Sequence, residues 1–218
     1  MPRQDPFIPD KLIFYSNEEA MARIISVILH PLIMPAVGLL LLFNSGTYLE
    51  FMSYQQQRAI FIIYFTGTII LPLSIIPLVM LQRMIASIRM ETHHERVFPL
   101  MMTVIFYGFT WYMLSRLRVP GLISNYTLAA SVTILIVAMV SLKWKISLHM
   151  TAQGALAGLL LAITFRYGVN LQLFLSIVFL GGGITGWARL SLKAHTPAQV
   201  YTGYLTGLAI LFIMIYNF

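Results

Sequence analysis

Seven mostly apolar stretches of about 20 residues recur along this chain of 218 residues. A helix needs about 20 apolar residues to cross a hydrocarbon core of roughly 30 Å, and a chain in lipid must satisfy its backbone hydrogen bonds internally. The stretches therefore predict membrane-spanning helices. We place these spans at residues 24–43, 59–80, 98–114, 122–142, 149–165, 171–187 and 200–216.

The composition agrees with this interpretation. Hydrophobic residues make up 59% of the chain and charged residues 10%, which is more apolar surface than one soluble domain can bury. Residues 1–23 are polar, so we expect a surface arm there and no cleavable signal peptide. We expect an all-α fold in which residues 24–218 form one transmembrane helix bundle of six to seven spans. Cysteine is absent, which excludes disulfides, thiolate metal sites and cysteine nucleophiles.

Paired glycines mark two of the predicted spans. Gly154 with Gly158, and Gly203 with Gly207, form GxxxG pairs that let helix backbones approach closely. Such pairs are also common in any glycine-rich apolar helix, so specific helix contacts are one of two interpretations. The glycine run at residues 181–183 predicts either a kink or close packing in the sixth span.

Three short clusters of Arg, Lys and His occupy the segments 89–99, 145–149 and 189–195. Two predicted spans separate each cluster from the next, and an even number of crossings returns a chain to the face that it left. We therefore expect all three clusters at one membrane surface. A cation at the end of a span can simply anchor a helix among lipid headgroups, but this explanation does not account for the spacing of three clusters.

Two of the clusters border the start of a predicted helix. Thr196 is suited to an N-cap and Gln199 completes a capping box, so His195 stands just outside a helix start. Ser147 is a second N-cap, with His149 in the first turn. Helix starts attract anions through their dipoles and free N–H groups. The pattern indicates a phosphate site, and its cationic candidates are Arg89, Arg96, Lys145 and Arg189.

One further histidine falls within the first predicted span. His30 is followed by Pro31 and Pro35. An ionisable residue at membrane depth is a functional candidate, but a neutral imidazole bonded to a carbonyl freed by the prolines is a structural alternative, which we favour.

Taken in order, the clusters resemble the three-part signature of the type 2 phosphatidic acid phosphatase superfamily, which includes lipid phosphatases and vanadium-dependent haloperoxidases. That signature is Lys, six residues, Arg-Pro; then Pro-Ser-Gly-His; then Ser-Arg, five residues, His, three residues, Asp. The resemblance covers residues 89 to 207. The corresponding positions are Arg89 and Arg96 in the first part, Ser147 and His149 in the second, and Arg189 and His195 in the third. The proline of the first part comes late, at Pro99.

The sequence departs from this pattern at several positions. Arg89 replaces the lysine, which keeps the charge and adds a bidentate fork. Ile146 and Leu148 replace Pro and Gly, and a leucine does not readily take the positive φ that glycine allows. Ala188 replaces Ser, and Gln199 replaces the aspartate. A glutamine can orient a histidine but supplies no negative charge to stabilise its cation.

The resemblance implies a role for each matching residue. His195 would be the nucleophile, forming a phosphohistidine, and His149 would protonate the leaving oxygen. Gln199 would orient His195. The resemblance and the neighbouring charges give the phosphate-binding set as Arg89, Arg96, Lys145, Ser147 and Arg189. No cofactor or metal is expected. His93 and His94 with Glu91 and Glu95 do not predict a metal site, because adjacent histidines on a helix point apart.

We therefore expect a phosphatase of lipid phosphates or pyrophosphates, such as phosphatidate, a polyprenyl pyrophosphate or a lipid A-type headgroup. The alternative is a catalytically degenerate relative that binds phospholipid headgroups or scaffolds a partner. A transporter or channel is less favoured, because few ionisable residues lie in the middle of the spans. The expected partner is a membrane lipid phosphate and not a nucleic acid. A homo-oligomer or a partner subunit stays open.

We expect the protein in the inner membrane of a bacterium. An excess of Lys and Arg at the cluster face favours a cytoplasmic site by the positive-inside rule. Bacterial members of the superfamily, however, usually act on the outer face of that membrane. The side that the site faces stays open.

Overall fold

The computed structural model describes residues 17–81 and 93–218. Within these ranges the chain forms nine α-helices and no strand, which confirms the all-α prediction. The α-helices are α1 Asn17–Ile28, α2 Met34–Phe43, α3 Tyr54–Phe65, α4 Leu71–Leu81, α5 His93–Arg116, α6 Gly121–Ser141, α7 Leu148–Tyr167, α8 Gln172–Ser191 and α9 Pro197–Asn217. A 3₁₀ helix, Tyr48–Phe51, joins α2 to α3, and a π-helical turn, Thr66–Ile70, joins α3 to α4.

Six helical segments of the described chain are long and apolar enough to cross a membrane. They comprise the continuous run Tyr54–Leu81, residues Arg96–Arg116 of α5, and all of α6, α7, α8 and α9. These segments match the second to the seventh predicted spans, apart from residues 142 and 171, which lie one position outside α6 and α8. The chain is therefore an integral membrane protein built as a helical bundle.

The first predicted span is wrong as a single helix. The structure divides residues 24–43 between α1 and α2, with a break between Ile28 and Met34. Pro31 lacks the N–H that would continue α1, and the residue before a proline is disfavoured in helical conformation. The chain nevertheless runs the length of the bundle here. Ser26 lies beside His149 at the start of α7, and Tyr48 contacts the N–H of Leu122 at the start of α6.

The π-helical turn in the second span also has a proline next to it. Pro72 has no N–H, and its ring would crowd the carbonyl of Thr68 in a regular α-helix. The wider turn accommodates the ring without ending the run. Gly67 lies inside this turn, where a methyl group would overlap the Thr110 side chain of α5.

Both GxxxG pairs lie at the contact between α7 and α9. A methyl group on Gly154 or Gly158 would overlap a backbone carbonyl of α9, at Tyr204 and Leu208 respectively. One on Gly207 would overlap the Thr151 carbonyl of α7 in the same way. The two backbones therefore touch, which confirms the interpretation as a specific helix contact. The glycine run of the sixth span does not interrupt α8, and Gly182 packs against the Tyr204 ring, as the close-packing alternative predicts.

The up-and-down order of the helices brings the described residues of the three basic clusters, 93–99, 145–149 and 189–195, to one end of the bundle. The start of α5, the end of α6, the start of α7, the end of α8 and the start of α9 all lie there. α1 packs against α8 at this end. Of the expected N-terminal arm, residues 17–23 belong to α1, and residues 1–16 lie outside the described part of the chain.

Candidate functional site

A cavity of about 1090 Å³ opens among the helices at this end. Arg96, Lys145, His149, Arg189 and His195 line it, and we call these five residues the basic cluster. No aspartate or glutamate lines the cavity among the residues whose side chains the structure describes. A site with this lining attracts anions, and burial strengthens the attraction because little water screens it.

The loop between α8 and α9 positions His195. Lys193 adopts the left-handed conformation, with φ of 48°, and so ends α8 sharply. Thr196 and Gln199 then form the predicted capping box at the start of α9. His195 exposes only 8% of its surface and lies between these two features, facing the cavity.

The hydrogen bonds of Gln199 determine the tautomer of His195. The Gln199 Oε1 accepts the Thr196 N–H at 3.2 Å and lies 3.0 Å from His195 Nδ1. Because that oxygen can only accept, His195 must donate from Nδ1. The lone pair of a neutral His195 is therefore on Nε2, which is the atom a nucleophilic role requires. Gln199 therefore lies where an orienting residue for His195 is expected, with its side-chain oxygen at Nδ1.

The surroundings of His195 favour the neutral ring. Burial, together with the positive charges of Arg189, Arg96 and Lys145, lowers the pKa of His195 from 6.5 to about 4, although the bond to Gln199 acts in the opposite direction. A carboxylate in place of Gln199 would counteract these charges. At neutral pH His195 is therefore unprotonated and able to act as a nucleophile.

Ser26 of α1 contacts two members of the basic cluster. Its carbonyl oxygen lies 3.1 Å from His149 Nε2, and its hydroxyl accepts from Arg189 Nη1 at 3.3 Å. The carbonyl can only accept, so Nε2 of His149 carries a proton and its Nδ1 is bare when the ring is neutral. An acid role for His149 therefore requires a second proton on Nδ1.

Two buried groups of the predicted phosphate-binding set have no hydrogen-bond partner among the described residues. They are Nε of Arg189, which lines the cavity, and Oγ of Ser147. Buried donors are almost always paired, so an unpaired one needs an explanation. An anion in the cavity would supply the missing acceptor for Arg189. Ser147 occupies the N-cap position as predicted, but its side chain does not cap the helix.

The helix starts offer fewer backbone donors than the sequence predicts. The Ser147 N–H donates to the Gln199 carbonyl at 3.3 Å, which ties α7 to α9. The capping box uses the N–H groups of Thr196 and Gln199. These three amides are therefore not available to an anion, and side chains and helix dipoles carry more of the attraction. Leu148, which stands at the glycine position of the Pro-Ser-Gly-His signature, begins α7 without the positive φ that a glycine would allow.

Three residues of this cavity are missing from the predicted set. Arg23 of α1 and Lys193 line it, and so does His30, whose ring centroid lies 5.5 Å from that of His149 in an edge-on arrangement. His30 also accepts the Leu32 N–H at its Nδ1, at 3.3 Å, so its bond is to an N–H and not to a freed carbonyl. The one sequence feature that indicated a functional role for His30 was an ionisable side chain within a predicted span.

Other predicted residues lie outside the description. Arg89 and Glu91 fall between the two described ranges, and the side chains of His93, His94 and Glu95 are not described. The structure therefore brings together Arg96, Lys145, His149, Arg189 and His195, with Ser147 buried behind them.

Compared with protein families, with curated proteins and with solved structures, the chain matches none. Its geometry alone therefore supports the functional argument. Within the described residues, that geometry is an integral membrane helix bundle with a basic, largely buried cavity at one end.

Proposed function

We propose that this protein is a metal-free phosphatase of lipid phosphates or pyrophosphates, and a divergent member of the type 2 phosphatidic acid phosphatase superfamily in the inner membrane of a bacterium. The observation that carries the proposal is the basic cluster, in which a neutral histidine with a free Nε2 stands among Arg96, Lys145 and Arg189 in one cavity. Displacement at phosphorus needs chiefly a positioned nucleophile and charges matched to the phosphoryl oxygens.

The proposed reaction has two steps. The Nε2 lone pair of His195 forms a bond to phosphorus as the bond from phosphorus to the lipid oxygen breaks, and that oxygen takes a proton from Nδ1 of a protonated His149. Water then attacks the phosphohistidine and gives a proton to the bare Nδ1 of His149 as the P–N bond breaks. Inorganic phosphate leaves, and both histidines return to their starting forms. Arg96, Lys145 and Arg189 bind the phosphoryl oxygens throughout and favour the more negative transition state.

A bound phosphate would also prepare His149. The proton on its Nε2 is directed at the Ser26 carbonyl, so the acid proton must come from Nδ1. A second proton on His149 would place positive charge near the guanidinium of Arg189, which contacts the same residue, Ser26, and without an anion the two charges repel each other. A phosphate dianion between them offsets this repulsion, so the acid form develops when substrate binds.

One observation favours a second function, which is binding of phospholipid headgroups without turnover. His195 has a glutamine partner where a catalytic site of this kind has a carboxylate, and so its cation receives little stabilisation. A degenerate relative of this kind would still bind a phosphate through the basic cluster. It would release none.

Phosphate release decides between these functions. Purified protein is incubated with phosphatidate and with a polyprenyl pyrophosphate, in EDTA, and inorganic phosphate is measured. The phosphatase proposal predicts release by the wild type and loss of release in His195→Asn, whose side-chain amide retains a donor for Gln199. Arg189→Gln should also lose release, whereas Arg116→Gln, a matched change at the opposite end of the bundle, should keep it.

Binding is measured on the same proteins, as the shift in thermal midpoint with each lipid. A midpoint shift without any phosphate release contradicts the phosphatase and supports the headgroup-binding function. Absence of both release and shift contradicts both functions.

A further inference from the structure

The cavity extends far beyond the space that a phosphate needs. Its volume of about 1090 Å³ is at the upper limit for sites that bind whole small molecules. Tyr107, Tyr126, Ala130, Leu156 and Leu211 line the region away from the basic cluster, and we call this region the distal cavity.

The distal cavity reaches deep into the bundle. Tyr126 lies fifteen residues before Ser141 at the site end of α6, which is about 22 Å along the helix at 1.5 Å per residue. Leu211 lies fourteen residues after Pro197 at the site end of α9, or about 21 Å. These depths are more than half of a hydrocarbon core of roughly 30 Å.

The distal cavity has few polar side chains in its described lining, which also includes Thr103 and Thr133. The hydroxyls of Thr103 and Thr133 donate to carbonyls of their own helices, both at 2.8 Å. Tyr126 donates to the Pro35 carbonyl at 3.0 Å. Apolar cavities of this kind do not retain water, so the group that fills this one is apolar.

The basic cluster and the distal cavity line one and the same cavity. We therefore infer that this cavity binds one hydrocarbon chain of the lipid inside the protein, with the phosphate at the basic cluster and the chain in the distal cavity. The inference rests on the proposed function for the position of the headgroup. A chain in this place contacts the side chains that line the distal cavity, and its length therefore affects binding.

The shape of the cavity gives the inference a consequence for selectivity. A short alkyl phosphate fills only the head region, whereas a long one also contacts Ala130 and Leu156. Each buried methylene adds to affinity. Hexadecyl phosphate should therefore bind more tightly than butyl phosphate. The difference in affinity should depend on Ala130, which lies about 16 Å from the site end of α6.

Photo-crosslinking tests the location of the chain. Wild-type protein in nanodiscs is irradiated with a hexadecyl phosphate that carries a diazirine at the end of its chain, and the modified residues are mapped by mass spectrometry. The inference predicts labels on the distal cavity, at Tyr107, Tyr126 or Leu156, that excess unlabelled hexadecyl phosphate removes. Labels confined to outward-facing residues such as Leu173 and Ile177, or no competed label at all, would overturn it.

A matched pair of variants tests the same inference by affinity. Ala130→Phe fills the distal cavity, and we expect it to weaken hexadecyl phosphate binding about tenfold while butyl phosphate binding is unchanged. Ala209→Phe makes the same exchange at a similar depth on the outer face of α9 and should change neither. Equal effects of the two variants on hexadecyl phosphate would contradict the inference. Crosslinking of the wild type gives the answer even where a variant fails to fold.

The two proposals fail in different ways. Distal labels without phosphate release from any lipid would contradict the phosphatase and keep the chain site. Phosphate release that is equally efficient for butyl and hexadecyl phosphate, with labels only on the outer surface, would contradict the chain site and keep the phosphatase.

Discussion

At the scale of single residues, the account depends on the pair His195 and Gln199. The sequence predicts their positions because a capping box has a fixed spacing, and the structure places Oε1 and Nδ1 3.0 Å apart. The contacts of Ser26 with His149 and Arg189 were not predictable in the same way. These residues are 123 and 163 positions apart in the chain, and no local pattern encodes such a contact.

Restoring a carboxylate beside His195 should increase turnover. Gln199→Glu keeps the length of the side chain and the capping box, and it places a negative charge beside the developing imidazolium. We expect phosphate release to rise about tenfold or more, because each 1.36 kcal/mol of transition-state stabilisation is tenfold in rate. Gln199→Asp, which introduces the aspartate of the superfamily signature, should act in the same direction. Its shorter side chain reaches Nδ1 of His195 less well.

The same variant has a readout that does not depend on turnover. Nuclear magnetic resonance titration of His195 should give a higher pKa in Gln199→Glu than in the wild type, because an adjacent anion favours the protonated ring. An unchanged pKa together with unchanged phosphate release would show that another group already stabilises the cation.

The depressed pKa of His195 predicts a dependence of stability on pH. The unfolded chain takes up this proton near pH 6.5, whereas the folded protein takes it up only near pH 4. The stabilisation of the folded state that a neutral His195 provides is therefore fully present above pH 6.5, and it is lost as the pH is lowered toward 4. The thermal midpoint of the wild type should drop more than that of His195→Asn across this window. Parallel curves for the two proteins would contradict a buried neutral His195.

At the scale of elements, sequence patterns predict the helices better than their interruptions. Six of the seven predicted spans correspond to membrane-crossing segments because their apolar length has only one solution in lipid. The first span was wrong because apolar length does not reveal a break, and Pro31 has no N–H with which to continue a helix. That break places Ser26 and His30 in the cavity.

The contact between α7 and α9 should be sensitive to a single methyl group. Gly207→Ala would place a methyl against the Thr151 carbonyl and the Ala155 amide, which are backbone atoms that cannot rotate away. We expect a loss of about 1–3 kcal/mol in unfolding free energy, typical of overpacking. Gly183→Ala, on the exposed side of α8 with open space around it, should be neutral or slightly stabilising. Denaturant unfolding in detergent measures both, and equal effects would contradict the close contact.

At the scale of the whole molecule, the bundle separates a basic end from the rest of the membrane-embedded surface. Span counting predicts this arrangement, since two crossings separate successive clusters. The cavity itself was not predictable, because its walls come from every α-helix of the described chain except α3, and no single helix shows a pattern that marks it.

Single-cysteine labelling tests this arrangement directly, because the natural chain has no cysteine. Lys143→Cys and Ala198→Cys should react with a membrane-impermeant maleimide from the same side, since both residues are exposed at the basic end. Leu117→Cys and Asn170→Cys should react only from the other side. Labelling of Lys143→Cys and Ala198→Cys from opposite sides would contradict the convergence of the clusters. The reactive side also shows which compartment the cavity faces.

The most direct measurement is a search for a phosphoryl group on His195 during turnover. Wild-type protein reacting with a lipid pyrophosphate is quenched at neutral to alkaline pH, digested and analysed by mass spectrometry. The account predicts a phosphorylated peptide containing His195, and both this peptide and phosphate release should disappear in His195→Asn. Undiminished phosphate release by His195→Asn would contradict the central claim.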